Sequence, residues 1–218
     1  MNHKEVNTLP KLLSADVTEY IHRKLLACPR FLVVTNNVPI RRFQMAYGAA
    51  DGGLIVSSYE DTDNPNKLTA DNNNDPATRD LNVFAEMILE LALNRCYVDQ
   101  LPSFANIKIK RIFWNYYHLD SKGTFHIDDD DENTWSIILY LNTANGCGTS
   151  IKECIDGIEN DMMISQVAGD AVLFPSSFEH AGTSANPGMH RCCVNILFSA
   201  NPLHIKTVSN ILIEEDNK

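Results

Sequence analysis

The second half of the chain carries the pattern of a sheet protein. Ile107-Lys108-Ile109-Lys110 alternates apolar and basic positions and runs on through Arg111-Ile112-Phe113-Trp114-Asn115-Tyr116-Tyr117. A period of two predicts a strand with one wet face. Trp135-Ser136-Ile137-Ile138-Leu139-Tyr140-Leu141-Asn142 is short and rich in β-branched, aromatic and aliphatic residues, which predicts a buried strand. Gly146-Cys147-Gly148-Thr149-Ser150-Ile151 and Gly169-Asp170-Ala171-Val172-Leu173-Phe174-Pro175 each join a turn signal to strand formers. A last strand is predicted at Arg191-Cys192-Cys193-Val194-Asn195-Ile196-Leu197-Phe198, opening with a cation.

The first half reads as support. Ser14 can cap a helix running to about Cys28, with Val17, Tyr20, Ile21, the Lys24 stem, Leu25 and Cys28 on one stripe and Pro29 ending it. A second helix is predicted from about Pro76 to Arg95, its Leu81, Phe84, Ala85, Ile88, Leu89, Ala92 and Leu93 recurring at helical spacing. Between them, strands are expected at Phe31 to Val34 and Gly53 to Ser58. Glu60 to Pro76 is rich in Asn, Asp and Pro and reads as a loop. No internal repeat of solenoid period is present.

Composition narrows the class. A chain of 218 residues with 44% hydrophobic content can bury a core as a single domain spanning residues 1–218. With 28 acidic against 18 basic residues the formal net charge is −10, which opposes a polyanionic partner, so no nucleic acid is expected. The six cysteines, Cys28, Cys96, Cys147, Cys154, Cys192 and Cys193, have neither Cys-x-x-Cys spacing nor a dense disulfide pattern. Reduced thiols in a cytoplasmic protein are the expectation. Strand alternation sends Cys192 and Cys193 to opposite faces, so at most one is expected in the core. Met1-Asn2-His3-Lys4-Glu5 lacks an apolar signal core, and no stretch approaches the roughly 18 apolar residues of a membrane span.

The chemistry concentrates at three residues. His126 and Asp128 are two apart in Phe125-His126-Ile127-Asp128, so on extended backbone they face the same way. His180, in Phe178-Glu179-His180-Ala181-Gly182, can join them from a neighbouring strand. Two imidazoles and a carboxylate on one face of a metal make the facial triad of non-haem iron(II) oxygenases, with opposite positions open for reactants. A His-x-Asp by itself also occurs by chance, as surface residues. Of the other histidines, His3, His22, His118, His190 and His204 have no partner at metal-ligand spacing; His118 and His190 can border the site, but solvent exposure is the expectation.

The ordered set Tyr117, His126-Ile127-Asp128, Tyr140-Leu141-Asn142, Gly148-Thr149, Gly169 to Pro175, His180 and Arg191 resembles the iron(II)/2-oxoglutarate-dependent dioxygenases, most closely the prolyl 4-hydroxylase group. The match runs from about Ile107 to Phe198. It implies a mainly β fold with flanking helices, a double-stranded β-helix or jelly-roll barrel of the cupin kind. A helical N-terminal support would occupy about 1–100 and a catalytic barrel about 105–200. It implies Fe(II) held by His126, Asp128 and His180, with 2-oxoglutarate and O2 as cosubstrates. Ascorbate dependence comes with the resemblance and with no residue. Arg191 can then sit on an adjoining strand and pair with the far carboxylate of 2-oxoglutarate through its planar fork. By similarity, Tyr140 would donate to that carboxylate, Tyr117 would line the pocket and Thr149 would reach the cosubstrate; both tyrosines can equally be core aromatics. Asn195 shares the inward face of Arg191 by alternation and could bond a metal-bound oxygen or cosubstrate.

The reaction so implied is hydroxylation of a C–H bond coupled to decarboxylation of 2-oxoglutarate to succinate and CO2. A prolyl residue in a peptide or protein leads as substrate, with a free amino acid or other small molecule as the alternative. A nucleic-acid demethylase would carry a second Arg shortly after Arg191, where Asn195 and Leu197 stand, and a basic face. A non-catalytic metal-binding barrel would usually have lost a ligand. Asp128-Asp129-Asp130-Asp131-Glu132 is either a solvated loop or a rim attracting a cationic substrate. In this family loops ahead of the barrel tend to cover the substrate, which gives the 60–76 segment a possible second role as a lid.

Overall fold

In the computed structural model, residues 6–27, 43–44, 53–60, 76–99, 103–117, 125–155, 158–183 and 190–203 are described. Among the described residues ten strands and two helices follow one another as β1 (Asn7–Leu9), α1 (Ala15–Ala27), β2 (Phe43–Gln44), β3 (Gly53–Glu60), α2 (Pro76–Val98), β4 (Ser103–Tyr117), β5 (Thr134–Tyr140), β6 (Gly148–Ile155), β7 (Ile158–Ser165), β8 (Ala171–Pro175), β9 (His180–Thr183) and β10 (Arg191–Leu203). Seven form one sheet in the order β1-β8-β5-β10-β4-β3-β2, and three form another in the order β7-β6-β9. All the pairings are antiparallel. This is the expected double-stranded β-helix, a jelly roll of two sheets with helices against the larger one.

Strand alternation gives the larger sheet two different faces. Trp135, Ile137 and Leu139 of β5 and Cys192, Val194, Ile196 and Phe198 of β10 join Leu81, Ala85, Ile88 and Ala92 of α2 in a helix-side core. Ile138 and Tyr140 of β5 and Cys193 of β10 join Ile151, Val172 and Phe174 in a smaller cluster on the other side. Cys192 and Cys193 are therefore both buried, at 0% and 1% exposure, contrary to the expectation that at most one would be. That expectation assumed one wet face, and here the strand is covered on both. The described cysteines Cys96, Cys147, Cys192 and Cys193 are thiols and form no disulfide.

β4 changes phase partway along. Ile112 pairs with Ile196 and Ile109 with Phe198, but Arg111 sits opposite Leu197 and the register shifts there, leaving Lys110 as the extra residue of a bulge. After the bulge Ile112, Trp114 and Tyr116 face the helices, and Arg111 faces the interior of the jelly roll. The Lys110-Arg111 pair that interrupts the alternation in the sequence marks this place.

α1 begins at the expected cap, with the Val17 amide donating to Ser14 Oγ at 3.4 Å. Its buried stripe differs from the expected one: Thr18, Ile21, His22 and Leu25 are inside, while Val17 and Tyr20 are exposed. Apolarity alone does not place Thr18 and His22 inside: the Thr18 hydroxyl is satisfied by its own helix, donating to Ser14 O at 2.8 Å, and His22 meets the His190 ring. α2 follows its expected stripe, extended to Val98. The strand expected at Phe31 to Val34, the interior of the Glu60 to Pro76 loop and Cys28 lie outside the described residues.

Candidate functional site

The jelly roll brings the three expected residues together. His126 lies beside β9, exchanging both backbone hydrogen bonds with His180 at 3.1 and 2.9 Å, so the distant histidines become cross-strand neighbours. Their ring centroids are 4.5 Å apart. The Asp128 amide donates to Ser176 O at 3.0 Å, which fixes the turn after β8 against the His126 segment. One ligating atom from each of His126, Asp128 and His180 lies within 4.8 Å of the others. Asp128 Oδ1 is 3.9 Å from His126 Nε2 and Oδ2 is 3.5 Å from His180 Nε2.

Asp128 and His180 are in the protonation states that a metal needs. Burial alone would raise the Asp128 carboxyl, but Arg111, then His180, then hydrogen bonds from Asn195 and Ser136 outweigh it and hold it well below the usual carboxylate range. Arg111 Nη2 donates to Oδ1; Ser136 Oγ and Asn195 Nδ2 donate to Oδ2 at 2.8 and 3.0 Å. Burial pulls the His180 imidazole down, more than the Asp128 charge lifts it, so the ring is neutral at neutral pH. His180 Nδ1 lies 3.1 Å from Phe178 O; donating there fixes the tautomer and leaves the Nε2 lone pair facing Asp128. A buried ionised carboxylate and an oriented neutral imidazole fit a divalent iron. His180 is closed off at 3% side-chain exposure, and His126 stands at the mouth at 54%.

Deeper in, Arg191, Thr149 and Tyr140 form a second cluster. Thr149 Oγ1 accepts from Arg191 Nη2 at 3.0 Å and from Tyr140 Oη at 2.8 Å, all three residues being buried. Burial pushes the Tyr140 hydroxyl up to about 12, so it remains a donor. Both lone pairs of Thr149 are thereby used, and its own proton points elsewhere. The guanidinium lies against Gly182, where an added Cβ would stand 2.6 Å from Arg191 Nη1. Gly182 follows His180 by two on β9, so the same strand face presents an imidazole and then a gap filled by Arg191.

The expected residues thus divide. His126, Asp128 and His180 converge; Arg191, Tyr140 and Thr149 converge beside them. Asn195 faces inward as expected, but its amide nitrogen goes to Asp128. Tyr117 pairs with Arg191 along the backbone, and its side chain lies outside the described residues. Of the acidic run, Asp129 and Asp131 are engaged by Lys110 at 2.9 and 3.5 Å. Each also caps a turn, Asp129 accepting from the Asp131 amide and Asp131 from the Asn133 amide. Three residues were not anticipated: Arg111, Ser136 and Gly182. Each had a trace, in the broken alternation at Lys110-Arg111, in a polar residue within an otherwise apolar strand, and in a glycine two places after His180.

No protein-family model and no curated protein matches the sequence. The fold is that of the 2-oxoglutarate and iron(II) oxygenases. An oxidoreductase of the 2OG-Fe(II) oxygenase family from Burkholderia pseudomallei superposes with a TM-score of 0.58 at 15% identity, over 89% of this chain and 84% of that one. A prolyl-4-hydroxylase from Pseudomonas putida gives 0.52 at 17% identity over 91% and 94%. The non-heme alpha ketoglutarate dependent epimerase of nogalamycin biosynthesis gives 0.56 at 15% identity over 88% and 76%.

Proposed function

We propose that this protein is an iron(II)- and 2-oxoglutarate-dependent dioxygenase that hydroxylates a C–H bond, a prolyl residue of a peptide or protein being the first substrate to try. The observation that carries the reading is the pairing of His126, Asp128 and His180 with the buried Arg191–Thr149–Tyr140 cluster in a fold shared with such enzymes. A facial triad supports a metal with open positions, and a buried guanidinium with oriented hydroxyls supports an anionic cosubstrate.

His126, Asp128 and His180 would hold the iron, which when bound supplies oxygen activation coupled to conversion of 2-oxoglutarate to succinate and CO2. The protein's own work is orientation. Arg191 would take the far carboxylate of 2-oxoglutarate through its fork, and the Thr149 proton, released from both neighbours, would add a third donor. Arg111, Ser136 and Asn195 hold the Asp128 carboxylate ionised and at a fixed angle. Ile138, Phe174 and Cys193 line the apolar interior and exclude water.

A peptide is favoured by the open rim, where His126 is half-exposed and flanked by exposed Phe125 and Ile127. The likeness to a prolyl-4-hydroxylase points the same way, whereas the epimerase shows that this fold serves other outcomes. The test is succinate release from 2-oxoglutarate with iron(II), with and without a panel of proline-containing peptides and free amino acids, scored for a mass gain of one oxygen. Peptide-stimulated turnover with that gain supports the reading, and gain on a free amino acid alone moves the substrate to a small molecule. No iron-dependent succinate with or without any substrate overturns it.

A further inference from the structure

A second group of metal-ligating side chains lies across β10 from the first. His22 of α1, His190 just before β10 and Cys192 within it each bring a ligating atom within 4.8 Å of the others. His190 and Cys192 are two apart and share a face by strand alternation, while Arg191 between them points into the jelly roll. Nε2 of both His22 and His190 is shut off from solvent, and His190 Nε2 has no hydrogen-bond partner among the described residues. The rings of His22 and His190 are 5.8 Å apart, and Tyr116 stacks on His190 at 5.3 Å.

The backbone carrying two of these donors is pinned. Asn142 Nδ2 donates to His190 O and the Cys192 amide donates to Asn142 Oδ1, both at 2.8 Å. Gln166 Nε2 in turn donates to Asn142 Oδ1 at 2.6 Å. On the helix, Glu19 Oε2 stands 4.0 Å from His22 Nδ1, beyond hydrogen-bonding distance, while its other oxygen pairs with Arg23. Ligands at about 2.0–2.3 Å from one tetrahedral ion stand about 3.3–3.8 Å apart, so atoms within 4.8 Å of one another need to close by no more than about 1–1.5 Å.

We propose that His22, His190 and Cys192 form a second metal site, for a borderline-soft divalent ion with zinc preferred, which ties α1 to the head of β10. A thiolate with two imidazoles selects such an ion over the hard cations and differs from the two-imidazole, one-carboxylate set of the first site. The ion would also brace the stretch of β10 from which Arg191 projects.

Cobalt(II) separates the two sites, because only the second offers a thiolate. The metal-stripped full-length protein and its Asp128→Ala/His180→Ala variant are titrated with cobalt(II) and followed by absorption. Near-ultraviolet thiolate-to-cobalt charge transfer is expected in both, reaching full amplitude at one equivalent in the variant, and one equivalent of zinc should erase it. Cys192→Ser should abolish the band, and His22→Gln, on the helix, serves if that variant does not fold. Absence of the band in the wild type, its loss on removing the triad, or its survival in Cys192→Ser or His22→Gln would overturn the proposal.

Discussion

The two sides of β5 and β10 are built from neighbouring residues and do opposite work. Toward the helices, Trp135, Ile137, Leu139, Val194, Ile196 and Phe198 make a continuous apolar layer. Toward the smaller sheet, the same strands present Ser136, Tyr140, Arg191 and Asn195, each tied by hydrogen bonds to Asp128 or Thr149. The first side gains from burial without needing direction; the second is costly to bury unless each polar group finds its partner. Stability and chemistry are thereby separated by the thickness of one sheet.

The strongest way to break this separation is to exchange the two kinds of damage. Asp128→Ala and His180→Ala should each abolish iron-dependent 2-oxoglutarate turnover while the protein keeps its circular dichroism spectrum and a cooperative melt. Ile137→Ala, one layer away, should cost about 2–5 kcal/mol in denaturant unfolding while folded molecules keep their kcat. Loss of the fold in the first pair, or of kcat in the last, would show that the layers are not independent.

The next contrast lies within the polar side. Arg191→Leu removes a charge-assisted fork, so KM for 2-oxoglutarate should rise by the equivalent of about 2–5 kcal/mol with little change in iron affinity. Gly182→Ala should act the same way more weakly, by up to about 100-fold, because the new methyl displaces the guanidinium without removing it. An unchanged KM in Arg191→Leu would assign the cosubstrate to another cation.

Arg111→Met should weaken iron binding by about 10–100-fold, read by competition with a chelator, as for other groups that orient a ligand. It also has a sign in acid. Asp128 is depressed in the folded state, so its contribution to stability is present above the ordinary carboxylate range and lost as pH falls through the depressed value. Without Arg111 that folded value rises, and the metal-free variant should unfold at a higher pH than the wild type. The smallest effect is expected at the rim. Since Asp129 and Asp131 hold Lys110, only Asp130→Asn with Glu132→Gln tests attraction of a basic peptide, and any slowing should vanish as salt rises. Equal rates for basic and acidic peptides at all salt concentrations would leave the run a structural turn.

What could be read in the sequence follows the range of the interactions. Strands β4, β5, β8 and β10 and both helices showed as local periodicity, and the spacing of His126 from Asp128 is itself local. Arg191 could be placed because a short connection joins its strand to that of His180. The Arg111–Asp128 pair, the Ser136 bond and the Gly182 gap depend on which strands become neighbours, and local pattern does not state that. His22 shows the limit best: its partners stand at the head of the last strand, so nothing near it in sequence hinted that it would be inside.

The bulge at Lys110 makes strand length a coded quantity. An exchange of Lys110 for another residue would leave the parity of β4 alone, whereas deleting it would restore an unbroken period of two. Ile109 and Arg111 would then be adjacent and still fall on opposite faces, so Ile109 keeps the helix-side core and Arg111 keeps Asp128, and only the Lys110 bonds to the Asp129 turn are lost. A library that varies the length of β4 by one residue should therefore keep active members where Lys110 is the residue removed and lose them where a residue is removed or added between Arg111 and Trp114, because there the change separates the Asp128 partner from the core face.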